Sequence, residues 1–213
     1  MLEFERVNAA QVEREPFPFT IIPGIVSERF RLPIEADYPA ISRYGSFPLP
    51  SLSYGPAFAQ LIEELSGAKM RGIVERKFGI DLSDRPVMVT VRGQCTARDG
   101  NIHTDSTTKL ITMLFYTNRA HECASARLRL LRSPTNLDDY AAEVPAEEST
   151  LVIFKNGPRA WHGFAPFHGQ RRVIQVNWVA DGRVVAREQA RHRFSAFFKR
   201  LVSPGHKAHA AAH

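Results

Sequence analysis

The stretch GNIHTDSTTK, Gly100 to Lys109, sets His103 and Asp105 one residue apart. On an extended chain residues i and i+2 point the same way, so this imidazole and carboxylate can face one ion while Thr104 turns aside. Taken alone, the pair also fits a polar turn with an exposed histidine. A second stretch, KNGPRAWHGFAPFHGQRRVIQVNWV from Lys155 to Val179, supplies His162 and His168, followed by Arg171 and Arg172. Two imidazoles and one carboxylate leave coordination positions open, as a ferrous centre needs in order to bind an organic cosubstrate and dioxygen together. A closed zinc site would require a fourth protein ligand.

Of the two later histidines, His168 stands only three residues before Arg171 and leaves no room for a loop between ligand and arginine, which favours His162. The arginines matter because a 2-oxo acid that chelates a metal through its keto oxygen and one carboxylate leaves its far carboxylate seeking a planar, bidentate cation. Arg171 shares a strand face with Val173, Gln175 and Asn177, and Arg172 shares one with Ile174, Val176 and Trp178. The apolar second face suits packing beneath helices and the first suits a polar barrel interior, provided that the first face is not the solvent side.

HTD, the later WHG and the arginine beyond it resemble the iron(II)- and 2-oxoglutarate-dependent dioxygenase superfamily, particularly its prolyl-4-hydroxylase-like bacterial branch. The similarity runs from about Val87 to Val179 and is carried by HTDSTTKLITMLFYTN and WHGFAPFHGQRRVIQVNWV. It implies a double-stranded β-helix, or jelly roll, with Fe(2+) held by His103, Asp105 and His162, and 2-oxoglutarate and O2 as cosubstrates. The family's spacing places the arginine nine residues after the histidine, at Arg171. Tyr116 matches a position whose hydroxyl reaches the cosubstrate's far carboxylate, and Thr112, on the same face of that strand, is a second candidate contact. The implied reaction hydroxylates an unactivated C–H bond and releases succinate and CO2, with a small metabolite or glycan-type molecule as the expected substrate. Asp105 argues against halogenation, which needs that coordination position for halide. The alternative is a cupin-like metal or small-ligand binding protein without oxygenase chemistry. One departure stands out: Ser125 and Ala126 occupy positions where many relatives carry paired glycines.

These residues need a scaffold of strands. From Pro86 the apolar pattern has period two, with Val87, Val89 and Val91 alternating against Met88, Thr90 and Arg92. Leu110–Tyr116, Arg127–Leu131, Thr150–Phe154 and Arg172–Val179 read as further strands with no helix between them, so the sheets are expected to be antiparallel and the fold mainly β with flanking helices. Phe19 to Val26 reads as an earlier strand. Phe58, Leu61, Ile62 and Leu65, then Met70, Ile73, Val74 and Phe78, repeat at helical spacing and predict helices within 55–79. Prolines at 33, 39, 48 and 50 suggest irregular chain before them. A core-facing helix is expected over 184–202, and 204–213 reads as a tail. Residues 1–203 thus form one expected domain, with the barrel core at about 86–180.

Composition sets the outer bounds. With 44% apolar residues and 10% aromatics among 213 residues, the chain can bury a core without disulfides. Cys95 and Cys123 match neither a disulfide framework nor a C-x-x-C metal motif. The start lacks a secretory pattern and no segment approaches membrane-span length, so the expected compartment is the cytoplasm. The net charge of +6 is concentrated in the last thirty residues, with aromatics there at core spacing, which argues against a nucleic-acid surface.

Overall fold

The strands form where the period-two pattern lies, and their two faces serve different cores. In the computed structural model, which describes residues 1–119, 122–147 and 149–183, β1 (Phe19–Ile22), β2 (Ser46–Pro48), β3 (Val87–Cys95), β4 (Lys109–Tyr116), β7 (Thr150–Lys155) and β9 (Gly169–Val179) build a six-stranded sheet in the order β1-β7-β4-β9-β3-β2. All of its pairings are antiparallel. A smaller sheet contains β6 (Tyr140–Val144), β5 (Leu128–Leu131) and β8 (His162–Gly163), and His103 bridges to His162 at its edge. The two facing antiparallel sheets make a mainly β jelly roll, as expected. The helix expected over 184–202 and the tail at 204–213 lie outside the described residues.

One face of the large sheet is covered by helices α1 (Phe4–Ala9), α2 (Arg31–Ala36), α3 (Pro56–Ser66) and α4 (Ala68–Phe78). The two predicted helical stripes, Phe58 to Leu65 and Met70 to Phe78, are buried there against Ile111, Met113, Phe115, Ile174, Val176 and Trp178. A fully buried Leu or Phe of this kind stabilises by about 1.5–3 kcal/mol. The opposite face, with Phe19, Leu114, Tyr116, Val152, Phe154 and Val173, packs against Leu128, Leu130 and Val144 of the small sheet. Alternation along β9 therefore sends Ile174, Val176 and Trp178 to the helices, and turns Arg171, Val173 and Asn177 into the barrel.

Four local details differ from the sequence reading, the first two with plain causes. The proline-rich stretch before α3 is more regular than expected: Pro33 falls in the first turn of α2, where no intrahelical N–H bond is lost, and Pro48 lies on the edge strand β2. Strand β6 carries Ala141, Ala142 and Glu143, poor strand formers, and is held by pairing with β5 and by an Arg129 Nε–Glu143 Oε2 ion pair of 2.8 Å. Strand β1 ends at Ile22 rather than running on to Val26, and β9 begins at Gly169, ahead of the expected Arg172.

Candidate metal centre

Backbone pairing brings the two histidines together. His103 N–H donates to the His162 carbonyl at 3.0 Å, and His162 N–H donates to the His103 carbonyl at 2.9 Å. Their rings lie 4.4 Å apart by centroid. Two glycines permit this approach. A Cβ at Gly163 would meet the Gly100 carbonyl oxygen at 2.8 Å and the Ile102 backbone at 3.2 Å, while Gly100 itself has φ +88° with the Phe164 ring against it.

Each imidazole is oriented by its own loop. His103 Nδ1 lies 2.8 Å from the Asn101 carbonyl oxygen and His162 Nδ1 lies 2.9 Å from the Ala160 carbonyl oxygen. A carbonyl only accepts, so both Nδ1 atoms carry a proton, which leaves Nε2 as the ring nitrogen each histidine can offer to a metal. This is the arrangement by which metal-ligating histidines are held. Burial, reinforced by the charge of His103 and opposed by Asp105, pushes the His162 imidazole down to about 4, so it is neutral at neutral pH.

Asp105 completes the group. One candidate ligand atom from each of His103, Asp105 and His162 falls within 4.8 Å of the others. Burial pushes the Asp105 carboxyl upward, but the charge of Lys109 and the hydrogen bonds from Lys109 and Thr112 outweigh it and hold the group below the ordinary carboxylate range. Lys109 Nζ donates to Oδ1 at 2.6 Å and Thr112 Oγ1 donates to Oδ2 at 2.7 Å. Two imidazoles and one carboxylate whose ligand atoms converge suit a divalent ion such as Fe(2+), and the three donors leave further positions open.

Arg171 is also buried in the barrel, only 3% exposed. Its Nη2 donates to the Tyr116 hydroxyl at 3.2 Å and its Nε to the Ala126 carbonyl at 3.2 Å. The guanidinium carbon sits 4.1 Å from the Phe164 ring centroid and 5.2 Å from that of Tyr116. Among the described residues no carboxylate forms an ion pair with it. A buried cation in this condition favours capture of an anion. Burial holds the Tyr116 hydroxyl above its ordinary range against the lowering effect of Arg171, so it remains a neutral O–H. Its oxygen accepts from Arg171 and its proton stays available to donate.

The neighbouring candidates go elsewhere. Arg172 faces the helices, with Nη1 at 3.3 Å from Glu35 Oε1. His168 Nε2 lies 3.1 Å from the Tyr44 hydroxyl, apart from the metal-type cluster. Arg92 pairs with Asp99 at 3.1 Å. Thr112 is engaged by Asp105 and by two amides, Asn156 Nδ2 at 2.9 Å and Asn177 Nδ2 at 2.7 Å. Sequence reasoning missed Lys109 and the two asparagines. Asn177 lies on the polar face already assigned to Arg171 and Lys109 stands four residues from Asp105, which were the available signals, whereas Asn156 joins only through the fold.

No protein-family model matches the sequence, and no curated protein matches it either. Solved structures do share the fold. A Pseudomonas putida prolyl-4-hydroxylase matches with a TM-score of 0.54 at 12% identity, covering 84% of this chain and 97% of its own. A viral collagen prolyl hydroxylase from Paramecium bursaria Chlorella virus-1, solved as a 2OG complex, matches at 0.52 and 14% identity, covering 76% and 94%. A Trichoplax adhaerens prolyl hydroxylase, solved with a peptide fragment of the hypoxia inducible factor oxygen degradation domain, matches at 0.52 and 11% identity, covering 87% and 90%. At such identities the likeness is one of fold. The chain is a jelly-roll protein similar in architecture to prolyl-4-hydroxylases, and its barrel holds a His-Asp-His group suited to a metal ion. No helix among the described residues is long and apolar enough to cross a membrane.

Proposed function

We propose that the protein is an iron(II)- and 2-oxoglutarate-dependent dioxygenase that hydroxylates an unactivated C–H bond of a small molecule, with release of succinate and CO2. The observation that carries this reading is the pairing of two sites in one barrel. The same barrel carries the His103-Asp105-His162 donor set and Arg171, a buried cation with no ion-pair partner among the described residues. In this reading His103, Asp105 and His162 hold the iron, while Arg171 and Tyr116 take the far carboxylate of 2-oxoglutarate. Iron, when bound, supplies the oxygen chemistry; the chain's part is to orient its two cosubstrates and keep water from the reacting groups.

Each assignment follows from the donor chemistry. Nδ1 bonds to backbone carbonyls aim the Nε2 lone pairs of both histidines away from their own loops. Arg171 and the Tyr116 hydroxyl offer adjacent donors to one anion, and the aromatic faces of Phe164 and Tyr116 exclude water around the guanidinium. A small metabolite or glycan-type molecule is the proposed substrate. The three structures of like fold are prolyl hydroxylases, so a proline-containing peptide is the second substrate class to offer.

The test is succinate release by iron-loaded protein given 2-oxoglutarate, oxygen and a metabolite library that includes prolyl peptides. Substrate-dependent succinate is expected for one member. Normal metal binding combined with failure to bind 2-oxoglutarate would instead favour the cupin-like binding protein.

A further inference from the structure

We infer that Thr112 is a positioning residue that orients the Asp105 carboxylate for a metal ion. The inference rests on the metal-site reading above and replaces cosubstrate contact as the role of this side chain. A threonine hydroxyl has one proton and two lone pairs. At Thr112, which is 1% exposed, three polar groups surround that oxygen. They are Asp105 Oδ2 at 2.7 Å, Asn156 Nδ2 at 2.9 Å and Asn177 Nδ2 at 2.7 Å.

Only one distribution of hydrogens satisfies all three contacts. An ionised carboxylate has no proton to give, so the hydroxyl must donate to Oδ2. Both lone pairs then accept from the asparagine amides, and the hydroxyl has no rotational freedom left. Thr112 lies on β4, and its two amide partners come from the residue just after β7 and from β9, the strands that flank β4 in the large sheet; Asp105 lies in the loop that leads into β4. Oδ2 is thereby anchored through Thr112 to the large sheet, while Lys109 Nζ anchors Oδ1 at 2.6 Å, so the plane of the carboxylate is fixed from both ends.

The functional consequence is a carboxylate that is already oriented before any ion arrives, so that a bound ion would not have to order it.

The test uses the full chain and cobalt(II) alone as the first probe. Thr112→Val keeps the side-chain shape and removes the hydroxyl, and Thr112→Ser restores it. Thr112→Val should bind cobalt(II) about 10–100-fold more weakly than wild type, the usual cost of losing a group that orients a metal ligand. Its visible cobalt bands should also change, while Thr112→Ser stays near wild type in both respects. With cobalt saturating, 2-oxoglutarate affinity should differ less than threefold between wild type and Thr112→Val. If Thr112→Val does not fold, as judged by circular dichroism, Asn177→Ala removes one clamp on the hydroxyl and should weaken cobalt binding in the same direction. Wild-type cobalt affinity and spectrum in the valine variant overturn the inference. So does selective loss of 2-oxoglutarate affinity, which would make Thr112 a cosubstrate contact. A wild-type protein that binds no cobalt overturns the metal-site reading itself, and this arm separates the two failures.

Discussion

Replacing Arg171 by leucine has two consequences of opposite kind. Arg171 is 3% exposed, donates to the Tyr116 hydroxyl and the Ala126 carbonyl, and has no ion-pair partner among the described residues. If it receives the far carboxylate of 2-oxoglutarate, its loss leaves that anion buried without a counter-charge. Breaking a buried pair in this way costs about 3–5 kcal/mol. At 1.4 kcal/mol per decade this weakens 2-oxoglutarate binding by about 10²–10³-fold. The apo protein should respond differently. Two hydrogen bonds of about 1 kcal/mol each are lost, but so is the several-kcal/mol penalty of desolvating an unpaired guanidinium. The thermal midpoint of Arg171→Leu should therefore stay near wild type or rise. Calorimetric titration of 2-oxoglutarate into manganese-loaded protein, alongside thermal melts, measures both quantities. A variant that is folded, binds manganese normally and holds 2-oxoglutarate within threefold of wild type would refute the reasoning.

Other outcomes follow from the same geometry. Gly163→Ala places a Cβ 2.8 Å from the Gly100 carbonyl oxygen, so β8 must move away from the His103 segment. The strain is worth about 1–3 kcal/mol, and metal affinity measured by titration should fall with stability. Acid sensitivity should also trace in part to Glu35. Its carboxyl is raised by burial but lowered more by hydrogen bonds and charge from Arg119 and Arg172, to a net position below the ordinary 4.5. A depressed folded-state pKa adds stability above the unfolded value and loses it as pH falls through the folded one. Urea denaturation of Glu35→Gln should accordingly show a shallower decline than wild type below about pH 4.5, with the difference reduced by solvent screening because Glu35 is partly exposed. Parallel acid limbs would remove Glu35 from the account.

The sequence disclosed the faces of elements better than their ends. Helical spacing from Phe58 to Phe78 and alternation along β4 and β9 followed directly from which side chains could be buried, and the choice between Arg171 and Arg172 depended on that alternation. Strand β6 was missed because pairing and an ion pair, rather than intrinsic preference, keep Ala141 and Ala142 extended. The site divides in the same way. His103, Asp105, His162 and Arg171 are distinctive residue types at distinctive spacing, and the fold brings the first three together and buries the fourth in the barrel. Asn156 and Asn177 reach Thr112 from beside it in the sheet, and no local pattern in a sequence announces a contact made across a sheet; Lys109, four residues after Asp105, was within local reach. Thr112 was visible as a polar residue on the face of Tyr116, but its partners could be known only from the strand register.

The central claim is that one barrel holds iron and 2-oxoglutarate side by side. Anaerobic addition of 2-oxoglutarate to the iron(II)-loaded protein tests it most directly, because a keto acid chelated to ferrous iron gives a weak visible charge-transfer band. Wild type should develop that band with saturation at one equivalent, and His103→Ala should not develop it. A well-folded, iron-loaded wild-type protein that shows no band would contradict the claim.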